Sequence, residues 1–171
     1  NTNNKPITIH NFYVPAGGDE PDPKINDKFK HKLDFLNEAT EWFSSKKNRK
    51  DLLLLVGDLN IAPHENDVWS HKQLLKIVSH TPIEIKGLNK LQSSYDFIDS
   101  IREFHPYEDK LYSWWSYRSK NWEESNRGRR LDHIWASPEL NKFIKSASVE
   151  KKIRGYDRPS DHVPLIVDFE F

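Results

Sequence analysis

The 171 residues include 26 basic and 26 acidic side chains, 36% hydrophobic residues, six Trp, six Tyr and nine Phe. That length suits a single domain with bulky core material, and the charge balance leaves any nucleic-acid or membrane partner to local clusters rather than a global field. Cysteine is absent, which excludes disulfides and thiolate metal sites, and no apolar run reaches the length of a membrane span, so a soluble, cytoplasmic chain is expected.

After the polar opening NTNNK, the segment ITIHNFYV reads as a strand rich in β-branched and aromatic residues, ending at Pro15 with Tyr13 as its polar side chain of interest. The Gly-, Pro- and acid-rich AGGDEPDPKIND is a loop. From Lys28 to about Ser45, Phe29, Leu33, Leu36, Thr40 and Phe43 recur at helical spacing, with Asn26 or Asp27 available as N-cap. The charged SKKNRKD then leads into LLLLVGDLNIAP, Leu52 to Pro63, whose aliphatic run fits a strand buried on both faces. Gly57, Asp58 and Asn60 place polar groups at the strand's end. With one residue between them, the carboxylate and the amide can turn to the same side, which suits a hard cation, an activated water or both. The same residues also make an ordinary turn.

Beyond Pro63, HENDVW reads as a loop, and SHKQLLKIVSH has a short helical pattern. The stretch between Pro82 and His105 has helical character, with Phe97, Ile98 and Ile101 expected in the core. From Leu111 the texture becomes YSWWSYRSKNWEESNRGRR, aromatics interleaved with basic residues. LDHIWAS reads as a strand and SPELNKFIKSA as a short helix or turn. Val163, Leu165, Val167, Phe169 and Phe171 alternate cleanly in a terminal strand, with Asp161 and His162 at its entrance and Pro164 marking an edge or bend.

Tyr13, Asp58, Asn60, Asp132, Asp161 and His162 all lie in or beside apolar strands, where an unpaired carboxylate is expensive, so they are expected to meet. Read singly, each has a plainer role: a core tyrosine, a turn, a carboxylate paired with an arginine, a surface imidazole. Together, carboxylates, an amide and a histidine without thiols point to Mg²⁺ or Mn²⁺ and to metal-assisted hydrolysis of a phosphate ester.

GDLNIAP, SWWSYR, RRLDHIWAS and PSDHVPLIVDF, in that order, resemble the exonuclease III family of abasic-site endonucleases, within the larger endonuclease/exonuclease/phosphatase superfamily. YVPAGGDEPDP and the K-F-x-x-K-L-x-F-L helix resemble it too. The resemblance implies a four-layer α/β/β/α sandwich with its site at one edge of the sheets. By the same resemblance Asp58 activates water, Asn60 orients it and contacts phosphate, His162 contacts phosphate, Asp132 supports His162, and Tyr13 is the active-site tyrosine. Asp58, Asn60, Asp161 and His162 are the implied metal ligands, with Mg²⁺ or Mn²⁺ as cofactor. Trp114 would line the pocket for a flipped-out abasic sugar, and Arg118, Lys120 and Arg127 would contact phosphates of double-stranded DNA.

In that family an asparagine and a metal-binding glutamate precede the YVPAG segment, and neither is present here. The chain therefore reads as the C-terminal portion of a sandwich, with apolar faces left uncovered and incomplete in activity by itself, and as a monomer when full length. The implied activity is cleavage 5′ to abasic sites and trimming of 3′ ends. A superfamily phosphatase for inositol phosphates or phospholipids, and a non-catalytic DNA-binding fragment, are the alternatives.

Overall fold

In a computed structural model, which describes residues 5–46 and 48–171, the aliphatic run forms β2 (Leu52–Asp58) at the centre of the molecule. The first four residues of the polar opening, and Lys47 of the charged loop, lie outside the described residues. Strand β2 pairs in parallel with β1 (Ile7–Tyr13) and antiparallel with β6 (Asp132–Ala136), and β3 (Ile98–Asp99) extends the sheet in the order β1-β2-β6-β3.

Because side chains alternate across a strand, β2 offers two different faces. Leu53 and Leu55 point into the main core, packed with Leu36 and Phe43 of α1 (Asp27–Ser44), Leu88 and Leu91 of α3 (Pro82–Ser93), and Trp135 of β6. Leu52 and Leu54 face the other way, against Ala136, Leu140, Phe143, Ile144 and Phe169. Val56, further along that second face, is only half-buried, and Ile9, the partner of Leu54 on β1, is 61% exposed. The expected burial of the run on both faces therefore holds only for its beginning. The layer over the second face is β7 (Ile144–Val149) paired with β8 (Leu165–Phe169).

Both long helices begin at side-chain caps, the first at one of the two predicted residues. Asn26 caps α1 by accepting from the backbone N–H groups of Lys28 and Phe29. At α3, Thr81 and Glu84 form a reciprocal capping box with Pro82 in the first turn. The remaining helices, α2 (His71–Leu74), α4 (Trp122–Ser125) and α5 (Pro138–Asn141), have four residues each. The apolar pattern of SHKQLLKIVSH thus yields one turn only. Strand β7 was not legible, because Ile144–Val149 lacks the apolar alternation of its partner β8 and is drawn out by pairing with it. Pro164 immediately precedes β8, which pairs only with β7 among the described residues, so the expected edge position holds.

Helices over a mixed sheet over a second small sheet make up the α/β sandwich, and the described residues hold no second layer of long helices. No described helix is long and apolar enough to cross a membrane.

Candidate active site

The site forms where β2 ends, and Gly57 is required for that ending. Its φ is +127°, and a Cβ there would lie 2.0 Å from the Phe12 carbonyl oxygen across the parallel ladder. Asn60 takes the left-handed conformation with φ 52°, which asparagine tolerates better than most residues. Its backbone N–H donates to Asp58 Oδ1 at 2.9 Å, and its Nδ2 donates to Asp58 Oδ2 and to the Val14 carbonyl, each at 2.9 Å. The turn reading and the site reading describe one object: an Asx-type turn that fixes a carboxylate with its amide neighbour.

Asp58 and Asp132 are direct cross-strand partners. Like charges placed opposite each other destabilise a sheet, so this register serves chemistry rather than folding. His162 joins them: its Nδ1 lies 2.8 Å from Asp132 Oδ2, and its Nε2 faces Asp58 Oδ2 across 4.0 Å. Buried Ser113 braces the arrangement, donating from Oγ to Asp132 Oδ2 at 2.6 Å while accepting the N–H groups of Leu131 and Asp132 at 3.0 Å.

These contacts set the electrostatics. Burial, and then the charge of Asp132, raise the Asp58 carboxyl above the usual carboxylate range. For His162, burial works downward, but the hydrogen bond to Asp132 and the charges of Asp132, Asp58 and Asp161 outweigh it and raise the imidazole. With Nδ1 donating to Asp132, Nε2 is left to carry a proton towards an anion beside Asp58.

Ligand atoms of Asp58, Asp132 and His162 lie within 4.8 Å of one another. Two facing carboxylates in a half-buried site hold surplus negative charge, and Asn60 Oδ1 accepts no hydrogen bond among the described residues, so the donor set fits a hard divalent cation. Of the expected ligands, Asp58 and His162 belong to this cluster and Asn60 adjoins it. Asp161 stands to one side, its Oδ2 accepting the Trp114 indole N–H at 2.9 Å.

A cleft of about 1000 Å³ opens over the cluster, lined by Tyr13, Asp58, Asn60, Trp114 and His162, and by Arg118 and Arg127. Tyr13 is 69% exposed, which removes the reading of it as a core residue. Lys120 does not line this cleft; it lies with Asn121 and Trp122 on a separate surface.

Lys32 is expected only on a helix, and Arg129 and Arg130 only among the basic residues after Leu111; their supporting roles appear in the structure. Lys32, fully buried on α1, donates from Nζ to the Asn60 carbonyl at 2.9 Å and pairs with buried Glu84 at 2.5 Å. Arg130 grips both oxygens of Asp67 and one of Asp99, and so fixes the chain two residues before Asp132. Arg129 lines the cleft. The only sequence signal for these was charge at apolar helical or strand positions, which surface residues also show.

A layered α/β frame thus ends a central strand in Asp and Asn and faces them with an Asp-supported histidine. The chain belongs to the Endonuclease/Exonuclease/phosphatase family, whose sequence profile matches residues 2–162. It is 29% identical over 170 residues to exodeoxyribonuclease III of Haemophilus influenzae, covering 96% of this chain and 62% of that protein. The structure of an AP endonuclease from Archaeoglobus fulgidus superposes with a TM-score of 0.89 at 28% identity, covering 96% of this chain and 62% of that one. The 3′ phosphatase NExo from Neisseria, bound to a product DNA hairpin, gives 0.85 at 29% identity, covering 95% and 61%. The chain thus spans about six-tenths of the length of these relatives.

Proposed function

We propose that this chain carries the hydrolytic centre of a metal-dependent DNA phosphodiesterase that cuts 5′ to abasic sites and trims 3′ ends. Asp58 facing His162 across 4.0 Å, on the floor of an aromatic and basic cleft, supports this reading most strongly. Both groups face the same cleft, so a single phosphoryl group seated over the pair can meet the imidazole while its attacking water meets the carboxylate. The names of the relatives, an exodeoxyribonuclease and an AP endonuclease, point to the same substrate class.

In this reading Asp58 takes a proton from the attacking water, and its raised carboxyl brings the base closer to working pH. Asn60 orients that water. The water oxygen bonds to phosphorus as the bond to the 3′-oxygen of the upstream nucleotide breaks; that oxygen takes up a proton from solvent, leaving a 3′-hydroxyl and a 5′-phosphate. Protonated His162, held by Asp132, donates to a phosphoryl oxygen as negative charge grows on it. Mg²⁺ or Mn²⁺ held by Asp58, with Asn60, Asp132 or Asp161 beside it, would neutralise phosphoryl charge and lower the pKa of bound water. Trp114 offers a stacking face to an extruded sugar or base, and Arg118 and Arg127 meet backbone phosphates.

The test uses the full-length protein on a duplex with a single abasic site. Asp58→Asn and His162→Ala are each expected to lower incision by at least about 100-fold, and chelation of divalent cations is expected to abolish it. Near-normal incision by either variant would sink the assignment.

A further inference from the structure

The fully buried charges are paired, Lys32 with Glu84, Arg130 with Asp67 and Asp99, and Asp67 with Arg102, while buried Arg154, away from the cleft, is covered by the Tyr117 and Trp122 rings instead of a carboxylate. Arg129, half-buried and lining the cleft, has no carboxylate either. Among the described residues its side chain donates only from Nη1, to the Val78 carbonyl at 3.1 Å and to Ser79 Oγ at 2.7 Å. A guanidinium has donors on all three nitrogens; here Nε is enclosed without an acceptor and Nη2 has no protein partner. Burial lowers its pKa, with only the more distant Glu84 working against that. A desolvated cation left in this state is costly unless an anion arrives to meet it.

The sheet register shows where that anion would sit. Trp114 of β4 (Trp114–Trp115) pairs with Arg129 of β5 (Gly128–Arg129) on one side and bridges to His162 on the other. Directly opposed residues share a face, so Arg129, Trp114 and His162 form a row across the cleft. Two inter-strand steps put Arg129 roughly 10 Å from His162, with the guanidinium 5.5 Å from the Trp114 ring centroid. A unit attached beyond the scissile phosphate and resting on Trp114 would reach the guanidinium with its outer end.

We propose that Arg129 is a specificity residue that selects DNA whose released unit, beyond the scissile phosphate, carries a second anion, either a carboxylate or a phosphate, over DNA releasing a neutral sugar. A pocket of Trp114 and buried Leu131 alone would suit the neutral sugar. The guanidinium shifts the match to an acidic end, through a charge-assisted and partly desolvated contact. The inference rests on the phosphodiesterase reading above and deepens it.

The experiment compares matched 3′-terminal substrates on the full-length protein. One pair ends in a phosphoglycolate ester or its neutral 2-hydroxyethyl phosphate counterpart; the other ends in a tetrahydrofuran nucleotide with or without its own 3′-phosphate. The expected result is that kcat/KM favours the charged member of at least one pair about tenfold or more. The pair that responds tells carboxylate from phosphate. In Arg129→Gln, which removes the charge, that ratio is expected to fall to about one, and Arg129→Lys is expected to restore part of it. A purely structural tie would lower both members alike and leave the ratio unchanged, overturning the proposal. Equal cleavage of charged and neutral ends by the unaltered protein would overturn it while leaving the phosphodiesterase reading intact. Cleavage of none of the four would overturn both.

Discussion

Arg130 is the residue through which folding and chemistry can be separated by measurement. It is fully buried, with Nε and Nη2 on the two oxygens of Asp67 and Nη1 on Asp99 Oδ2 at 2.7 Å. Arg130→Met keeps most of the volume and removes the charge. Asp67 then retains Arg102 at 2.5 Å, whereas Asp99 is left without a guanidinium, keeping only the Arg102 backbone N–H at 3.3 Å and His133 at 4.0 Å. Burial would raise the Asp99 carboxyl, but in the intact protein Arg130 and His133 outweigh that and hold it well below the usual range. Without Arg130 it must take up a proton to stay buried at pH 7. About three pH units above the ordinary aspartate value, at about 1.4 kcal/mol per unit, gives roughly 4 kcal/mol, inside the about 3–5 kcal/mol found when one partner of a buried pair is removed. The sign with pH follows. In the variant the folded state holds a proton that the unfolded state releases, so its deficit shrinks by about 1.4 kcal/mol for each unit of pH lowered from 7 towards 4. In the intact protein Asp99 is ionised in both states over that range, and its contribution is lost only as pH falls below the ordinary aspartate value. Urea denaturation followed by circular dichroism at pH 7 and pH 5 reads both quantities. A deficit under about 1 kcal/mol, or one equal at the two pH values, would refute the reasoning.

Two further outcomes follow from the site. Asp132→Asn removes the group that holds His162 and raises its pKa; because the donor form of His162 is present below its folded pKa and lost above it, the alkaline limb of activity should move to lower pH and turnover at pH 7.5 should fall about 100-fold. A pH profile whose alkaline limb matched the unaltered enzyme would contradict this. Gly57→Ala should cost about 3 kcal/mol or more, from the contact with the Phe12 carbonyl and a φ of +127°. Gly155→Ala, whose Cβ would meet only the Trp122 ring at 3.7 Å, serves as the control, and thermal unfolding compares the two.

The readable part of the site was its polar residues at strand ends. An unbroken apolar run stopping at Gly57 announces both β2 and the Asp58–Asn60 turn, and Asp132 and His162 border strands for the same reason. The supports were not readable in this way. Ser113 lies 19 residues before the carboxylate it braces, and nothing in YSWW distinguishes its hydroxyl from a surface one. The basic residues of the following loop gave a mixed result, with Arg118 and Arg127 in the cleft and Lys120 outside it, because charge in a loop does not say which way the loop folds.

By itself, then, the sequence determined which side chains sit at the ends of strands, since side-chain period and apolar length are properties of a chain read in one dimension. The tertiary structure alone decided which of them meet. Asp58 stands opposite Asp132 only through the β2–β6 register, and Arg129, Trp114 and His162 line up only through β4. Lys32 is buried because Glu84 arrives from another helix. The physical reason is the same in each case: a buried charge is tolerated only when its partner reaches it, and that partner is set by how distant segments pack.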